Sequence, residues 1–180
     1  MEPSAGIKIA QALEDYGPMW VEDPVFMEHM NSIGEVARAT RSPIAVGETR
    51  GGRADFRYLL ELEALSMVIM DVTWCGGVSE AKKIATMAEP YQTPVAFHDC
   101  TGPVALTVST HLALNTRNCW VQEIVRAFYY GWYHRFLTEL PPITKGMITV
   151  PKGPGLGTKL DPKVLKREDA KVRRTTAGDL

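Results

Sequence analysis

The sequence predicts an α/β fold, in which parallel strands alternate with helices. Five short apolar runs lack polar alternation and are separated by stretches with apolar residues at helical spacing. Each run ends in a charged residue or a histidine: Glu22, Glu48, Asp71, His98 and Glu123. Subtracting neighbouring numbers gives intervals of 26, 23, 27 and 25 residues. A (β/α)₈ barrel has units of about 31 residues, shorter with tight loops, so the repeat fits a TIM barrel. The rival fold is a doubly wound open sheet, with helices on both faces.

The elements can be placed in order along the chain. A first helix is expected to be capped by Ser4 and to end near Gly17, because the apolar residues Ile7, Ala10 and Leu13 recur at helical spacing. The predicted strands are residues 19–21, 43–46, 67–70, 95–97 and 119–121. The helices between them are expected to bury Ile33, Val36, Ala37, Phe56, Leu59 and Leu60, and to cover residues 79–88 and 104–114.

The pattern changes in the C-terminal part of the chain. Aromatic-rich helical sequence is expected over residues 132–137, and the periodicity stops after Pro141. We expect an extended segment over 146–151, a short helix near 162–167 and a frayed ending over 173–180. The chain therefore divides into a barrel part, residues 1–140, and a C-terminal tail, residues 141–180.

Composition narrows the class of protein. The 180 residues are 45% hydrophobic, with 20 basic and 21 acidic side chains. Such balance favours small neutral or anionic ligands and argues against nucleic acid as a partner. No apolar run approaches the roughly 20 residues of a membrane span, so no membrane partner is expected. Cys75, Cys100 and Cys119 are odd in number and lack C-x-x-C spacing, which fits a reducing cytoplasm.

The five strand endings form a candidate site. The C-terminal ends of barrel strands meet at one face, where active sites lie. There, Glu22 and Glu48 could both ligate Mg²⁺, a cation that prefers oxygen ligands and retains water. Asp71 could fix the tautomer of His98 and make it a general acid or base. Glu123 could hydrogen-bond a substrate oxygen if burial keeps it protonated.

Each of these residues also has a structural interpretation. A strand-end carboxylate can be an ordinary turn acid, and Gln122 or Arg126 could fill the polar role in place of Glu123. The aromatic cluster over residues 128–133 is better explained by helix packing than by base stacking, because no basic stripe accompanies it. The three other histidines lack partners at ligand spacing and are interpreted as structural or surface residues: His29, His111 and His134.

These residues, in this order, resemble the enolase superfamily, specifically the C-terminal half of its mandelate racemase-like subgroup. The matching motifs are Trp20-Val21-Glu22-Asp23-Pro24, Gly47-Glu48-Thr49, Met70-Asp71, Phe97-His98-Asp99 and Gln122-Glu123. The resemblance spans residues 5–160. It implies that Glu22 and Glu48 are the second and third Mg²⁺ ligands, that Asp71 and His98 form a dyad, and that Glu123 is the last-strand glutamate. In such enzymes the metal stabilises an enediolate formed when a base removes the proton α to a carboxylate.

The resemblance also implies what this chain lacks. The family begins with a capping domain and three barrel strands, which supply a Lys-x-Lys base motif and the first aspartate ligand. This chain contains neither motif nor ligand, so it corresponds to barrel strands four to eight of a partial TIM barrel without the N-terminal capping domain. The tail over residues 141–180 would pack on that domain. With one of three carboxylates missing, weak Mg²⁺ binding is expected.

Two loop sequences indicate which branch of the superfamily the chain resembles. The sequence of residues 98–103 with that of 122–129 resembles the acid-sugar dehydratase and cycloisomerase branches more than a mandelate enzyme. The leading hypothesis is a Mg²⁺-dependent sugar-acid dehydratase, a lyase acting on a small carboxylate, and a racemase or cycloisomerase is the alternative. A second class of hypothesis is a catalytically incomplete barrel that is an assembling module or a remnant. Open strand edges predict a homo-oligomer or a partner chain that supplies the missing N-terminal half.

Overall fold

The computed structural model describes residues 2–171, 173, 176 and 178. Its main sheet has five parallel strands in the order β1-β2-β3-β4-β5. These strands are β1 Val21–Glu22, β2 Ile44–Val46, β3 Met67–Met70, β4 Val95–Phe97 and β5 Cys119–Gln122. The α-helices are α1 Pro3–Ala12, α2 Met30–Ala39, α3 Gly52–Glu61, α4 Val78–Ala88, α5 Pro103–Leu114 and α6 Arg126–Gly131. The predicted frayed ending, 173–180, falls largely outside the described residues.

Alternate strand residues pack into two separate apolar clusters, one on each face of the sheet. The larger cluster joins the helices to the strand residues of one parity, among them Ile44, Val68 and Phe97. The smaller, inner cluster contains the strand residues of the other parity, Ala45, Met67, Ile69 and Ala96, with Trp20 and Val121 packed against it. Because successive side chains of a strand point to opposite faces, the helices cover one face and the second face forms a barrel interior.

Neighbouring helices along the chain also contact one another in space. Such contacts join α1 with α2, α3 with α4, and α4 with α5. Strand order equals chain order, with each crossover returning on the same side. This arrangement is the α/β partial barrel that the sequence predicts, and it contradicts the open, doubly wound alternative.

Three predictions at the N-terminal end were wrong in detail. The first helix begins at Pro3 with Glu2 as N-cap, not at Ser4, because proline's fixed φ suits the first helical position. Leu13 follows the α-helix as its C-cap instead of lying within it, and is 36% exposed. The first strand is Val21–Glu22 rather than 19–21, because its partner β2 begins at Ile44, opposite Val21.

The aromatic segment also differs from its prediction. Its α-helix is α6, ahead of the predicted residues 132–137, where a 3₁₀ turn, Tyr133–Arg135, follows instead. Trp132 leaves the helical region at φ −137°, which ends α6. The aromatic rings pack on one another, as the structural interpretation predicted, with the Trp132 and Tyr133 centroids 4.7 Å apart.

The C-terminal tail lies against the end of the barrel part. It forms a hairpin, β6 Ile143–Thr144 and β7 Met147–Ile148, and a 3₁₀ turn, Val164–Lys166. That turn confirms the short helix predicted near 162–167. The backbone of Thr138 bonds to that of Lys159, and His111 bonds to the carbonyl oxygen of Leu156. The boundary between residues 140 and 141 stays a prediction.

Both outer strands of the sheet have one unpaired edge. Within the described part of the chain, β1 pairs with β2 alone and β5 pairs with β4 alone. Trp120 on β5 is 67% exposed and Met19, just before β1, is 61% exposed. No helix among the described residues is long and apolar enough to cross a membrane.

Candidate active site

Four of the five predicted site residues continue the inward-facing parity of the strands. Each lies two positions beyond a residue of the inner cluster: Trp20 precedes Glu22, Ile69 precedes Asp71, Ala96 precedes His98 and Val121 precedes Glu123. The strand ladder also extends to this level, since the His98 amide donates to Met70 and the Glu123 amide donates to Phe97. Period-two geometry therefore delivers all four side chains to the mouth of the barrel.

Glu48 joins them by a break in that parity. It lies three residues after the inward-facing Ala45, and the intervening Gly47 has φ 128°, a conformation that L side chains rarely adopt. A Cβ on Gly47 would lie 2.6 Å from the carbonyl oxygen of Ile69. The Asp23 amide donates to the carbonyl oxygen of Ala45 at 3.1 Å, which ties the end of β1 to the end of β2. Glycine at this position turns Glu48 toward the site.

Asp71 and His98 form the predicted dyad. His98 Nδ1 lies 2.9 Å from Asp71 Oδ2, so the proton on Nδ1 is donated to the carboxylate and Nε2 faces the site. Four further donors hold Asp71: the Thr73 amide at 2.7 Å, the Thr73 hydroxyl at 2.5 Å, the Thr101 hydroxyl at 2.8 Å and the Trp74 amide at 3.4 Å. Asp71 is fully buried, and these bonds fix both of its oxygens.

These contacts shift both pKa values of the dyad. Burial alone would raise the pKa of Asp71, but the bonds from His98, Thr73 and Thr101 outweigh it and lower that pKa to about 2. Burial would lower the pKa of His98, but the hydrogen bond to Asp71 and the charges of Glu48 and Glu123 outweigh it and raise that pKa. The histidine therefore holds its second proton more firmly than a free imidazole does.

Glu22 and Glu48 lie side by side next to this histidine. Glu48 Oε2 is 3.0 Å from His98 Nε2, and the carboxyl group of Glu22 lies near enough to raise the pKa of Glu48. Trp20 Nε1 donates a hydrogen bond of 2.9 Å to Glu22 Oε2. Burial, and then the charge of Glu22, raise the pKa of Glu48. Two neighbouring carboxylates repel each other, and a proton or a cation between them relieves that repulsion.

Glu123 completes the set at the end of β5. Burial raises its pKa to about 7, and the charge of Glu22 adds to the shift. The competing candidates are engaged elsewhere. Gln122 donates to the carbonyl oxygens of Phe97 and Glu123, and the guanidinium of Arg126 lies 5.3 Å from the ring centroid of Tyr130. The role of Glu123 toward a ligand oxygen stays a prediction, which these contacts of Gln122 and Arg126 favour.

Sequence reasoning missed four residues that shape this site. Asp23 has φ 40°, and its buried Oδ1 lacks a hydrogen-bond partner, while burial and Glu48 raise its pKa to about 6. The sequence feature that could have indicated Asp23 is its position next to Glu22. Thr73 lies two residues after Asp71, which is the spacing of a local side-chain turn. Thr101 and Asp99 lie in the loop after His98, and only their position in that loop could have indicated them.

The donor set suits a hard divalent cation in part. No group of three or more His, Cys, Asp or Glu side chains that could hold a metal ion occurs among the described residues. Glu22 and Glu48 nevertheless supply two adjoining oxygen donors in a region where carboxylates raise one another's pKa. A cation there would relieve that repulsion. Mg²⁺ suits such a site because it prefers oxygen ligands, and its remaining coordination positions would be filled by water or by groups from outside this chain.

Two comparisons with curated proteins show similarity to sugar-acid dehydratases. The chain is 35% identical to a D-xylonate dehydratase of Haloferax volcanii over 154 residues, which is 86% of this chain and 37% of that protein. It is 34% identical to a D-galactonate dehydratase of Ralstonia nicotianae over 164 residues, which is 88% of this chain and 43% of that protein. The chain thus spans less than half the length of these relatives.

Solved structures give the same picture. An enolase of the mandelate racemase subgroup from Agrobacterium tumefaciens is 49% identical with a TM-score of 0.87, covering 92% of this chain and 45% of that one. An enolase from Sargasso Sea environmental sequencing is 43% identical with a TM-score of 0.89, covering 96% and 46%. The profile of the family described as enolase C-terminal domain-like matches residues 1–164. The chain therefore belongs to the enolase C-terminal domain-like family, within the enolase superfamily.

Proposed function

We propose that this chain forms the C-terminal part of the catalytic barrel of a Mg²⁺-dependent sugar-acid dehydratase. The observation that supports it most is the imidazole of His98, held between Asp71 at 2.9 Å and Glu48 at 3.0 Å at the mouth of a parallel barrel sheet. The substrate class follows the names of the relatives, which are D-xylonate and D-galactonate dehydratases. The substrate proposed here is a small polyhydroxylated carboxylate.

In the proposed reaction His98 acts as a general acid. A base outside this chain removes the proton α to the carboxylate, the β-hydroxyl leaves, and the proton on His98 Nε2 goes to that hydroxyl so that it departs as water. The raised pKa of His98 supports this role, because the imidazole keeps that proton to a higher pH than a free imidazole does. Asp71 holds Nδ1 and stabilises the imidazolium, so Nε2 is the nitrogen that exchanges protons.

Two other groups of this chain are assigned roles toward the substrate and the cation. Glu123, whose pKa is raised to about 7, retains its proton for part of the time and donates a hydrogen bond to a substrate oxygen. Glu22 and Glu48 would hold Mg²⁺. When bound, that cation stabilises negative charge developing on the substrate carboxylate. Both glutamates come from neighbouring strands whose register, Glu22 opposite Ala45, fixes their separation.

A racemase or cycloisomerase would use the same residues, and a substrate screen separates the possibilities. Product from a panel of sugar acids with Mg²⁺, detected as a 2-keto acid, supports the dehydratase. Exchange of the α-proton without elimination supports a racemase. The chain is assayed alone and mixed with a separately produced N-terminal half of the Agrobacterium tumefaciens relative. Absence of keto acid from both samples, with other superfamily products present, would overturn the dehydratase assignment.

A different observation favours the incomplete-barrel hypothesis for the chain by itself. The unpaired edges of β1 and β5 leave backbone groups and the barrel interior without their partners. We propose that a second copy or a chain carrying the N-terminal half covers them, in a reducing cytoplasm that keeps the three cysteines free. Activity that appears only in the mixed sample would show that the chain is catalytically incomplete alone.

A further inference from the structure

Asp99 is a buried carboxylate that joins two loops of the site. It follows His98 at the end of β4 and is 2% exposed. Its Oδ2 accepts a hydrogen bond from the amide of Val125 at 2.9 Å, in the loop that follows Glu123. Its Oδ1 accepts from the hydroxyl of Tyr133 at 2.8 Å. A single side chain therefore binds the loop after β4 to the loop after β5.

Tyr133 makes the far end of this link rigid. Its side chain is fully buried, and its ring packs edge-on against Trp132 and tilted against Phe128. The aromatic ring cannot follow a moving loop without disturbing that packing. Asp99 is thus held from one side by a fixed hydroxyl and in turn fixes the backbone of Val125.

Burying this carboxylate carries a cost that the two bonds offset only in part. Burial raises the pKa of Asp99, while the bonds from Val125 and Tyr133 and the charge of His98 act against that rise. An apolar residue of similar volume would avoid the penalty but would leave the Val125 amide and the Tyr133 hydroxyl unpaired. The Val125 amide and the Tyr133 hydroxyl therefore explain why a carboxylate is suited to this buried position.

We infer that Asp99 is a positioning residue that sets the distance between His98 and Glu123 by tying the Val125 loop to the Tyr133 hydroxyl. His98 directly precedes Asp99, and Glu123 lies two residues before Val125. A change in the Asp99–Val125 distance would therefore move His98 relative to Glu123. This inference rests on the proposed function, in which His98 and Glu123 act on the same substrate. A shift of about 1 Å in such groups can slow catalysis about 100-fold.

The substitutions separate positioning from charge. Asp99→Ala removes both acceptors, Asp99→Asn removes the charge but keeps one acceptor, and Tyr133→Phe removes one donor while leaving the charge. In the active sample described above, we expect kcat to fall about 30- to 100-fold in Asp99→Ala and less than about 10-fold in the other two, with KM changed less than kcat. Equal losses in Asp99→Asn and Asp99→Ala would overturn the inference and assign the effect to charge.

A second readout does not depend on activity. A nitroxide on the exposed Cys100, in a Cys119→Ser background, reports its distance to the Glu123 and Val125 amides by paramagnetic broadening. We expect Asp99→Ala to weaken that broadening and to speed hydrogen exchange at Val125 at least 10-fold, while the exposed control Asp15→Ala leaves both unchanged. An unchanged distance in Asp99→Ala overturns the inference. A changed distance without sugar-acid turnover in the parent protein upholds the link and refutes the proposed function instead.

Discussion

His98 shows how neighbouring charges can outweigh burial at a single residue. Its side chain is 11% exposed, a burial that by itself favours the neutral form, yet it contacts two carboxylates. The net effect is a raised pKa, while Asp71 beside it has a pKa lowered to about 2. Residue types at strand ends indicated this pairing, but not the contact between His98 and Glu48, because the turn of the backbone at Gly47 depends on packing against Ile69.

The first prediction concerns the pH range in which this pair stabilises the fold. The raised pKa of folded His98 stabilises the protein below the unfolded value of about 6.5, and this contribution is lost as pH rises through the folded pKa. The lowered pKa of Asp71 stabilises above about 3.9, and this contribution is lost as pH falls toward about 2. The pair therefore contributes most between about pH 4 and 6.5.

Nuclear magnetic resonance checks this directly in the metal-free chain. We expect the ring of His98 to titrate above 6.5 and Asp71→Asn to lower that midpoint, with the exposed Asp15→Asn as a control without effect. Chemical denaturation of the same variants should show the largest difference in free energy of unfolding inside the stated pH window. A His98 midpoint at or below 6.5 in the parent chain would contradict the electrostatic account.

At the scale of the element, the period of two along each strand accounts for most of the site. Strands β3 and β4 have the predicted bounds, and their inward parity places Asp71 and His98. The α6 region was predicted less well, because a run of aromatic residues is compatible with an α-helix or a 3₁₀ turn and tertiary packing decides between them. Thr101 was missed because a side-chain bond between two loops leaves no periodic trace, and Thr73 was missed because its bond to Asp71 is a local turn contact beyond the strand.

The second prediction concerns the turn that presents Glu48. Gly47→Ala places a Cβ 2.6 Å from the Ile69 carbonyl oxygen at a φ of 128°. We expect the free energy of unfolding to fall by at least about 2 kcal/mol, since both the clash and the backbone strain must be relieved. Gly131→Ala is the matched control, because its Cβ meets nothing within 4 Å and it lies in a helix. Equal stability of the two variants in urea would refute this account of the turn.

At the scale of the whole molecule, the described residues form five parallel strands of a barrel, and the outer edges of β1 and β5 are unpaired. The repeat length and the strand-end motifs together predicted this architecture. Sequence could not predict how the tail meets the barrel part, because contacts such as His111 with the Leu156 carbonyl join distant, irregular segments. Two functional consequences follow for the isolated chain.

The third prediction is weak metal binding by the isolated chain. Glu22 and Glu48 provide two carboxylates, and Mg²⁺ gives up its waters reluctantly, so the remaining positions would stay hydrated. We expect a dissociation constant of about a millimolar or weaker by calorimetry, with further weakening in Glu22→Gln. Tight, micromolar binding by the monomer would show that this chain holds a complete metal site.

The fourth prediction is self-association through the open edges. Unpaired backbone groups on β1 and β5 each cost about 1–3 kcal/mol if buried without partners, which favours pairing with another chain. Sedimentation at micromolar concentration should show a homo-oligomer, and Trp120→Lys, which puts a charge on the exposed β5 edge, should shift it toward monomer. Tyr91→Lys, on an exposed residue outside the strands, is the control. A compact monomer with a cooperative thermal transition would contradict this prediction.

The central claim is that the side chains at these strand ends perform the elimination once the barrel is complete. The most direct test follows 2-keto acid formation from a sugar-acid substrate with Mg²⁺, comparing the parent chain with His98→Gln in the mixed sample that contains an N-terminal half. The account predicts product in the parent sample and a rate about 10²- to 10⁴-fold lower in His98→Gln, with the fold and the oligomeric state unchanged. Equal rates in the two samples would contradict it, because His98 would then have no part in proton transfer.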